Sequence, residues 1–313
     1  MRHSSYQALR ERAAVLDLTG RGFLRMRGAD RARLLHAMTT NHVQGLQPGE
    51  SCYAFLLSSQ GRVLADVTIL CGETEIYLDT EPETHSLVHQ HLERYIIADD
   101  AVVADLTGHV AVLAVEGPQA PVVADELGVP PIPHLNQWTS WNMWPVARIS
   151  ASGQPGFRFF LPRAEADSFR ERLSGHGLPE AGKQEWHTVR LESAHPRFGE
   201  DFCDQQIPHE TQLLHAIHFN KGCYLGQEIV ERVRARGHVN RKLVQLHIAT
   251  QQAPTPGTKL LTGDGKEAGV VTSAAFSPAL GKVVALGYVR VEHTGAALRA
   301  GDAIAVVTPL KPR

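Results

Sequence analysis

The chain is poor in cysteine: Cys52, Cys71, Cys203 and Cys223 are scattered through 313 residues with no C-x-x-C pair. That scatter excludes a disulfide framework and a self-contained zinc or iron–sulfur motif. No run of about 18 apolar residues occurs, so no membrane span is expected. The opening MRHSSYQALRERAAVLDLTG lacks the apolar core of a secretory signal, so a cytoplasmic protein without a membrane partner is expected. Excess charge is also missing: the formal net charge is −2, which gives no protein-wide attraction to nucleic acid, and direct nucleic-acid binding is not expected. The absence of a P-loop, a G-x-G-x-x-G and a G-x-S-x-G removes sequence support for nucleotide hydrolysis, dinucleotide redox chemistry and α/β-hydrolase chemistry.

What is present is an ordinary globular composition, 43% hydrophobic and 20% charged, in a chain long enough for two or three packed units. GFLRMRG reads as a strand, and Asp30 as the N-cap of a helix over RARLLHAM. GRVLADVTIL and EIYLD read as paired strands, and TEPE at 80–83 as a capping box opening a helix that runs to about Tyr95. Strands and helices alternate without the spacing of a doubly wound parallel sheet, which favours α+β. From residue 242 onward, strands separated by APTPG, GDG, SPALG, HTG and RAGD predict a small β-barrel or sandwich. The division expected is therefore 1–241 and 242–313.

One loop carries the chemistry worth weighing. In NKGCYLGQEIVER, Cys223 lies between Gly222 and Gly226, two residues after Lys221 and just before a helix predicted near Leu225 or Gly226. A helix N-terminus and an adjacent cation both favour a thiolate, whereas a small buried hydrophobe is the plainer role of a free cysteine. Between 221 and 242 the basic residues Lys221, Arg232, Arg234, Arg236, Arg241 and Lys242 face only Glu228 and Glu231, a patch suited to phosphate, RNA or a polycarboxylate tail, or simply a solvated face. His85, His89 and His91, and His209, His215 and His218, match no specific metal signature, and no metal is expected. The tryptophans of WTSWNMW are read as packing residues in preference to a stacking platform for a flat heterocycle or bases.

KGCYLGQE, residues 221–228, resembles the K-G-C-[YF]-x-G-Q-E signature of the YgfZ family, folate-binding proteins related to the aminomethyltransferase (T-protein) of the glycine cleavage system. GADRARLLHAMTTNHVQGLQPGE, GRVLADVTIL, AVEGPQA, GQPGFRFFLP, VRLESAHPRFGED and IPHE are similar to segments of these families, in order along nearly the whole chain. The resemblance implies a three-part, ring-like arrangement: two interleaved α+β units, one ferredoxin-like, plus a C-terminal β-barrel, with tetrahydrofolate in a central channel. It implies action in iron–sulfur cluster assembly or repair, including cluster enzymes that modify tRNA, with assembly proteins or client enzymes as partners; a monomer is expected. The family cysteine falls on Cys223, and the loop around it on Lys221, Gly222, Tyr224, Gly226, Gln227 and Glu228, with Arg232 beyond. Glu192 falls on the T-protein glutamate that hydrogen-bonds the pterin. In the T-protein, GRVLADV is G-G-[IV]-[IL]-D-D-[LIV]; here Ala65 replaces the first aspartate and Asp66 remains, and His42 replaces the aspartate of T-N-D-V. The leading expectation is a folate-binding accessory protein with a functional thiol at Cys223. The alternatives are a glycine-cleavage aminomethyltransferase, with one-carbon transfer to folate, and a non-catalytic folate-responsive regulator or RNA-binding module.

Overall fold

The computed structural model describes residues 4–310. Its first unit is a five-stranded antiparallel sheet in the spatial order Ser51–Leu57, Val63–Cys71, Glu75–Thr80, Gly22–Arg27, Val102–Asp105. Side chains alternate across a strand, so Ala65, Val67 and Ile69 enter a core under the helices Arg31–Met38 and His85–Tyr95. Asp66 and Thr68 of the same strand face the other way, into a cavity.

A six-stranded sheet forms the second unit, in the order Glu180–Ala181, Ala14–Asp17, Val110–Glu116, Gly156–Pro162, Trp144–Ala147, Trp138–Trp141. The helices Ala120–Glu126 and Ala166–Gly175 cover one face through Val123, Leu127, Phe169 and Leu173. The other face meets the first sheet: Leu16, Val112, Ala114 and Phe160 pack with Phe23 and Leu70, and the Phe23 and Phe160 rings stack at 4.6 Å. The two units are interleaved, because the chain leaves the second sheet after Asp17, builds the whole first sheet, and returns at Val110. The tryptophans serve as packing: Trp141 and Trp144 stand edge to face at 5.7 Å in the second core, and Trp138 Nε1 donates to the Cys71 carbonyl at 2.8 Å.

The last unit is a closed six-stranded barrel, Arg241–Ile248, Lys282–Arg290, Glu267–Ser277, Lys259–Leu261, Ala297–Ala300 and Ala303–Pro309. The α+β class with a C-terminal β-barrel is thus the observed architecture. The barrel docks on the helix Lys183–Glu192 through a fully buried ion pair. Arg190 Nη1 donates to Asp201 Oδ2 at 2.5 Å, while the other Asp201 oxygen accepts from Thr272 and Ser273 of the barrel at 2.8 and 2.5 Å. Among the described residues, no helix is long and apolar enough to cross a membrane.

Two local expectations change. Asp30 precedes the helix Arg31–Met38, but its carboxylate makes no cap bond; it accepts from the Asp100 amide at 2.9 Å and from Arg33 Nε at 3.1 Å, pinning a neighbouring loop. The helix expected from Thr80 begins instead at His85. Thr80 stays in its strand, paired with Val67 on one side and Gly22 on the other, and two arginines hold Glu81 on the cavity wall. Tertiary ion pairing displaces the local capping signal.

Candidate functional site: a cavity between the two sheets

Between the two sheets lies a cavity of about 980 Å³. The strands contribute Tyr53, Asp66, Thr68 and Arg158, the segment after Thr80 adds Glu81 and Glu83, and the start of the helix Lys183–Glu192 adds Lys183 and Trp186. The loop from Ser150 to Gly156 closes one side. That loop is fixed from behind by Glu116, fully buried, whose carboxylate accepts from the Ala151 amide at 2.6 Å, the Ser152 amide at 2.8 Å and the Ser150 and Ser152 hydroxyls. No barrel residue lines the cavity.

Asp66 is the chemically distinctive group. It is 8% exposed; Tyr53 Oη donates to its Oδ2 at 2.7 Å, and its Oδ1 is buried with no hydrogen-bond partner. Burial, helped by the nearby Glu81 carboxylate, raises its pKa to about 7, against the pull of Tyr53 and Arg21. A carboxyl group that exchanges its proton near neutrality is suited to general acid–base work.

Around it runs an ionic lattice. Arg21 pairs with Glu81 and, through Nε at 2.7 Å, with Asp79, which also meets Arg158. Arg197 bridges Glu81 at 2.9 Å and Glu83 at 2.8 Å. The cavity therefore offers aromatic rings at Trp186 and Tyr53, the titrating acid Asp66, and cationic groups at Lys183 and Arg148 toward which an anionic tail can run. Its size lies at the upper end of sites for drug-sized ligands.

The structure divides the residues expected from the sequence into three groups. Asp66 lies on the cavity wall. Glu192 lies off it: its carboxylate accepts from Tyr6 Oη at 2.5 Å and Ser277 Oγ at 2.6 Å, and pairs with Arg10 Nε at 2.9 Å, tying the N-terminal helix to the barrel. The KGCYLGQE loop also lies outside the cavity lining.

Within that loop most side chains build the loop itself. Lys221, 8% exposed, turns inward, and its ammonium donates to the carbonyls of His36, of Thr39 at 2.5 Å and of Asn41 at 2.9 Å, closing the C-terminus of the helix Arg31–Met38. Burial lowers its pKa to about 8. Tyr224 packs among Phe55, Leu57 and Phe202, under the Lys221 ammonium, and its amide donates to Gln227 Oε1 at 3.3 Å. Gly226 has φ +81°, and a Cβ there would stand 2.6 Å from the Ser58 carbonyl oxygen. Gly222 and Cys223 are exposed, four residues and more ahead of the helix Gln227–Arg236. All four cysteines are free thiols.

The basic patch is largely spent on neighbours: Arg232 pairs with Glu228 at 2.7 Å, Arg234 Nη1 donates to the Phe219 carbonyl at 3.0 Å, and Arg241 pairs with Glu210 at 3.0 Å. Among the described residues, no group of histidine, cysteine and acidic side chains is placed to hold a metal.

Tyr53, Glu81, Arg21, Trp186 and Arg197 were not singled out from the sequence. One signal for the site was available, a lone aspartate inside the apolar strand VLADVTIL, where acidic residues are disfavoured. The arginines carried none, because their partners lie tens of residues away.

The fold is one of two interleaved α+β units with an appended β-barrel and a cavity between the two sheets. The chain belongs to the GCVT family: the GCVT N-terminal domain matches residues 2–221 and the glycine cleavage T-protein C-terminal barrel domain matches residues 241–311. It is similar to an aminomethyltransferase of Rubrobacter xylanophilus, 30% identical over 299 residues that cover 93% of this chain and 80% of that protein. An aminomethyltransferase of Saccharopolyspora erythraea is 28% identical over 302 residues, covering 93% and 82%. The glycine cleavage system aminomethyltransferase T from Bartonella henselae shares the fold, with a TM-score of 0.89 at 24% identity over 97% of this chain and 87% of that one.

Proposed function

We propose that the protein binds tetrahydrofolate in the cavity between its sheets and transfers a one-carbon, aminomethyl-type unit to it, with Asp66 as the proton-transfer group. The observation that carries this reading is the Asp66 carboxyl: on the cavity wall, with one oxygen held by Tyr53 and the other unpartnered among the described residues, where burial raises its pKa to about 7. The residues fit the cofactor. Trp186 offers a plane for a pterin ring, Asp66 Oδ1 an acceptor for an N–H, and Lys183 and Arg148 cations for glutamate carboxylates. When bound, tetrahydrofolate supplies the two nitrogens that accept the one-carbon unit. As the carbon leaves the carrier sulfur, released as a thiol, and its amino group leaves as ammonia, Asp66 would deliver a proton to the departing ammonia and recover one from a folate N–H, the second N–H proton ending on the thiol; once ionised it would offset positive charge developing at the transferred carbon. Kinship with the named aminomethyltransferases supports this over the accessory role expected from the loop signature.

A second reading, a folate-responsive accessory role in iron–sulfur assembly or repair of the YgfZ type, has one favourable observation. Cys223 is presented on the outer surface by a loop whose neighbours are committed to holding it there. Assembly proteins or client cluster enzymes would meet it at that surface.

The test is a glycine-cleavage assay with purified lipoyl carrier protein and tetrahydrofolate. Asp66→Asn is expected to lower turnover at least about 100-fold while folate binding persists, and Cys223→Ser to leave turnover unchanged. Absence of turnover in the wild-type protein, together with loss of iron–sulfur enzyme activity in Cys223→Ser cells, would transfer support to the second reading.

A further inference from the structure

The last pairs at this end of the sheet are Val67 with Thr80 and Gly22 with the same Thr80. Extending the register one residue past them sets Glu81 across from Asp66, with Arg21 on Glu81's other side. Asp66, Glu81 and Arg21 all line the cavity. Like charges directly opposite on neighbouring strands repel. The carboxylate of Glu81 is clamped on both oxygens, Oε1 by Arg21 and Oε2 by Arg197 at 2.9 Å, so it has no freedom to swing away. Asp66 has no such clamp: among the described residues, only Tyr53 donates to it.

We propose that Glu81 is a positioning residue that holds a fixed negative charge opposite Asp66 and thereby sets the protonation of Asp66 for proton transfer at the cavity wall. The other titratable and charged groups lining the cavity are Tyr53 on one neighbouring strand, Arg158, Asp17, Arg148, Glu180 and Lys183, and Glu83, His195, Arg197 and His215, with Asp79 buried behind Arg21 and Arg158. Of the negative groups, Glu81 is the one that the register sets across from Asp66. The arrangement divides the work between two carboxyl groups: one is immobilised by arginines, and the other is left to exchange a proton. This inference rests on the reading of Asp66 as the proton-transfer group.

The experiment is the titration of Asp66 in the full-length, ligand-free protein, followed by carboxyl carbon NMR with aspartate label and assigned through Asp66→Asn. The wild-type midpoint should lie near 7, and in Glu81→Gln it should fall by about one pH unit or more. A midpoint unchanged in a folded Glu81→Gln protein would overturn the proposal. Should that variant fail to fold, Arg197→Gln serves: unscreening Glu81 should raise the midpoint, and an unchanged or lowered value counts against the proposal. Because no folate is present, loss of the folate reading would show separately, as failure of tetrahydrofolate to bind a protein whose Asp66 still titrates as described.

Discussion

At the scale of single residues, two buried ionisable groups do opposite work. Lys221 is charged and fully used, its ammonium bonded to three backbone carbonyls. Asp66 is held in reserve, and its reserve has a stability signature. Its folded pKa is about 7 against an ordinary 3.8, so between those values the native state keeps a proton that the unfolded chain has released. The stabilisation from this group is therefore fully present below about pH 4 and is lost as pH rises through 7. In urea unfolding, Asp66→Asn should gain on the wild type by an amount on the order of a few kcal/mol between pH 5 and pH 8. A difference that does not change with pH would mean that Asp66 is not protonated in the native state at pH 5.

At the scale of elements, the KGCYLGQE loop is legible as an important loop but not as a cavity element. Its glycine at 226 meets a requirement that the sequence only hints at: φ of +81° and a close approach to residues 58 and 61 of the hairpin that carries Asp66. Gly226→Ala should destabilise the fold by about 1–3 kcal/mol, measured by thermal unfolding, whereas Gly222→Ala, with open space around it, should be within about 0.5 kcal/mol of wild type. Equal effects at both glycines would contradict this account of the loop. Turn segments read the barrel well, and the helix start expected near residues 225–226 falls within two residues of the observed Gln227–Arg236, because both signals are local. Local pattern misplaced the helix after Thr80, because in the capping box TEPE the N3 glutamate, Glu83, is claimed by Arg197, and the neighbouring Glu81 by Arg21 and Arg197, from distant parts of the chain. The same long-range pairing hid Glu81's place on the cavity wall from the sequence.

At the scale of the whole molecule, interleaving explains why one cavity can exist between two sheets that share a core. The chain crosses between them twice, Phe23 and Leu70 of one sheet pack directly on Phe160 and Val112 of the other, and the cavity opens where that packing gives way to Asp66, Glu81 and Arg158. The barrel buttresses this assembly from outside, through Asp201 and Glu192, and leaves the cavity to the two sheets. The resemblance carried by sequence segments anticipated the architecture; which carboxylate faces the cavity required coordinates, since Glu192 and Asp66 both lie on matching segments and only Asp66 lines it. The most direct measurement is a crystal structure of the protein with tetrahydrofolate. The account predicts the folate between the two sheets, its ring system against Trp186 and within hydrogen-bond distance of Asp66; folate bound on the outer surface beside Cys223, with the cavity unchanged, would contradict it.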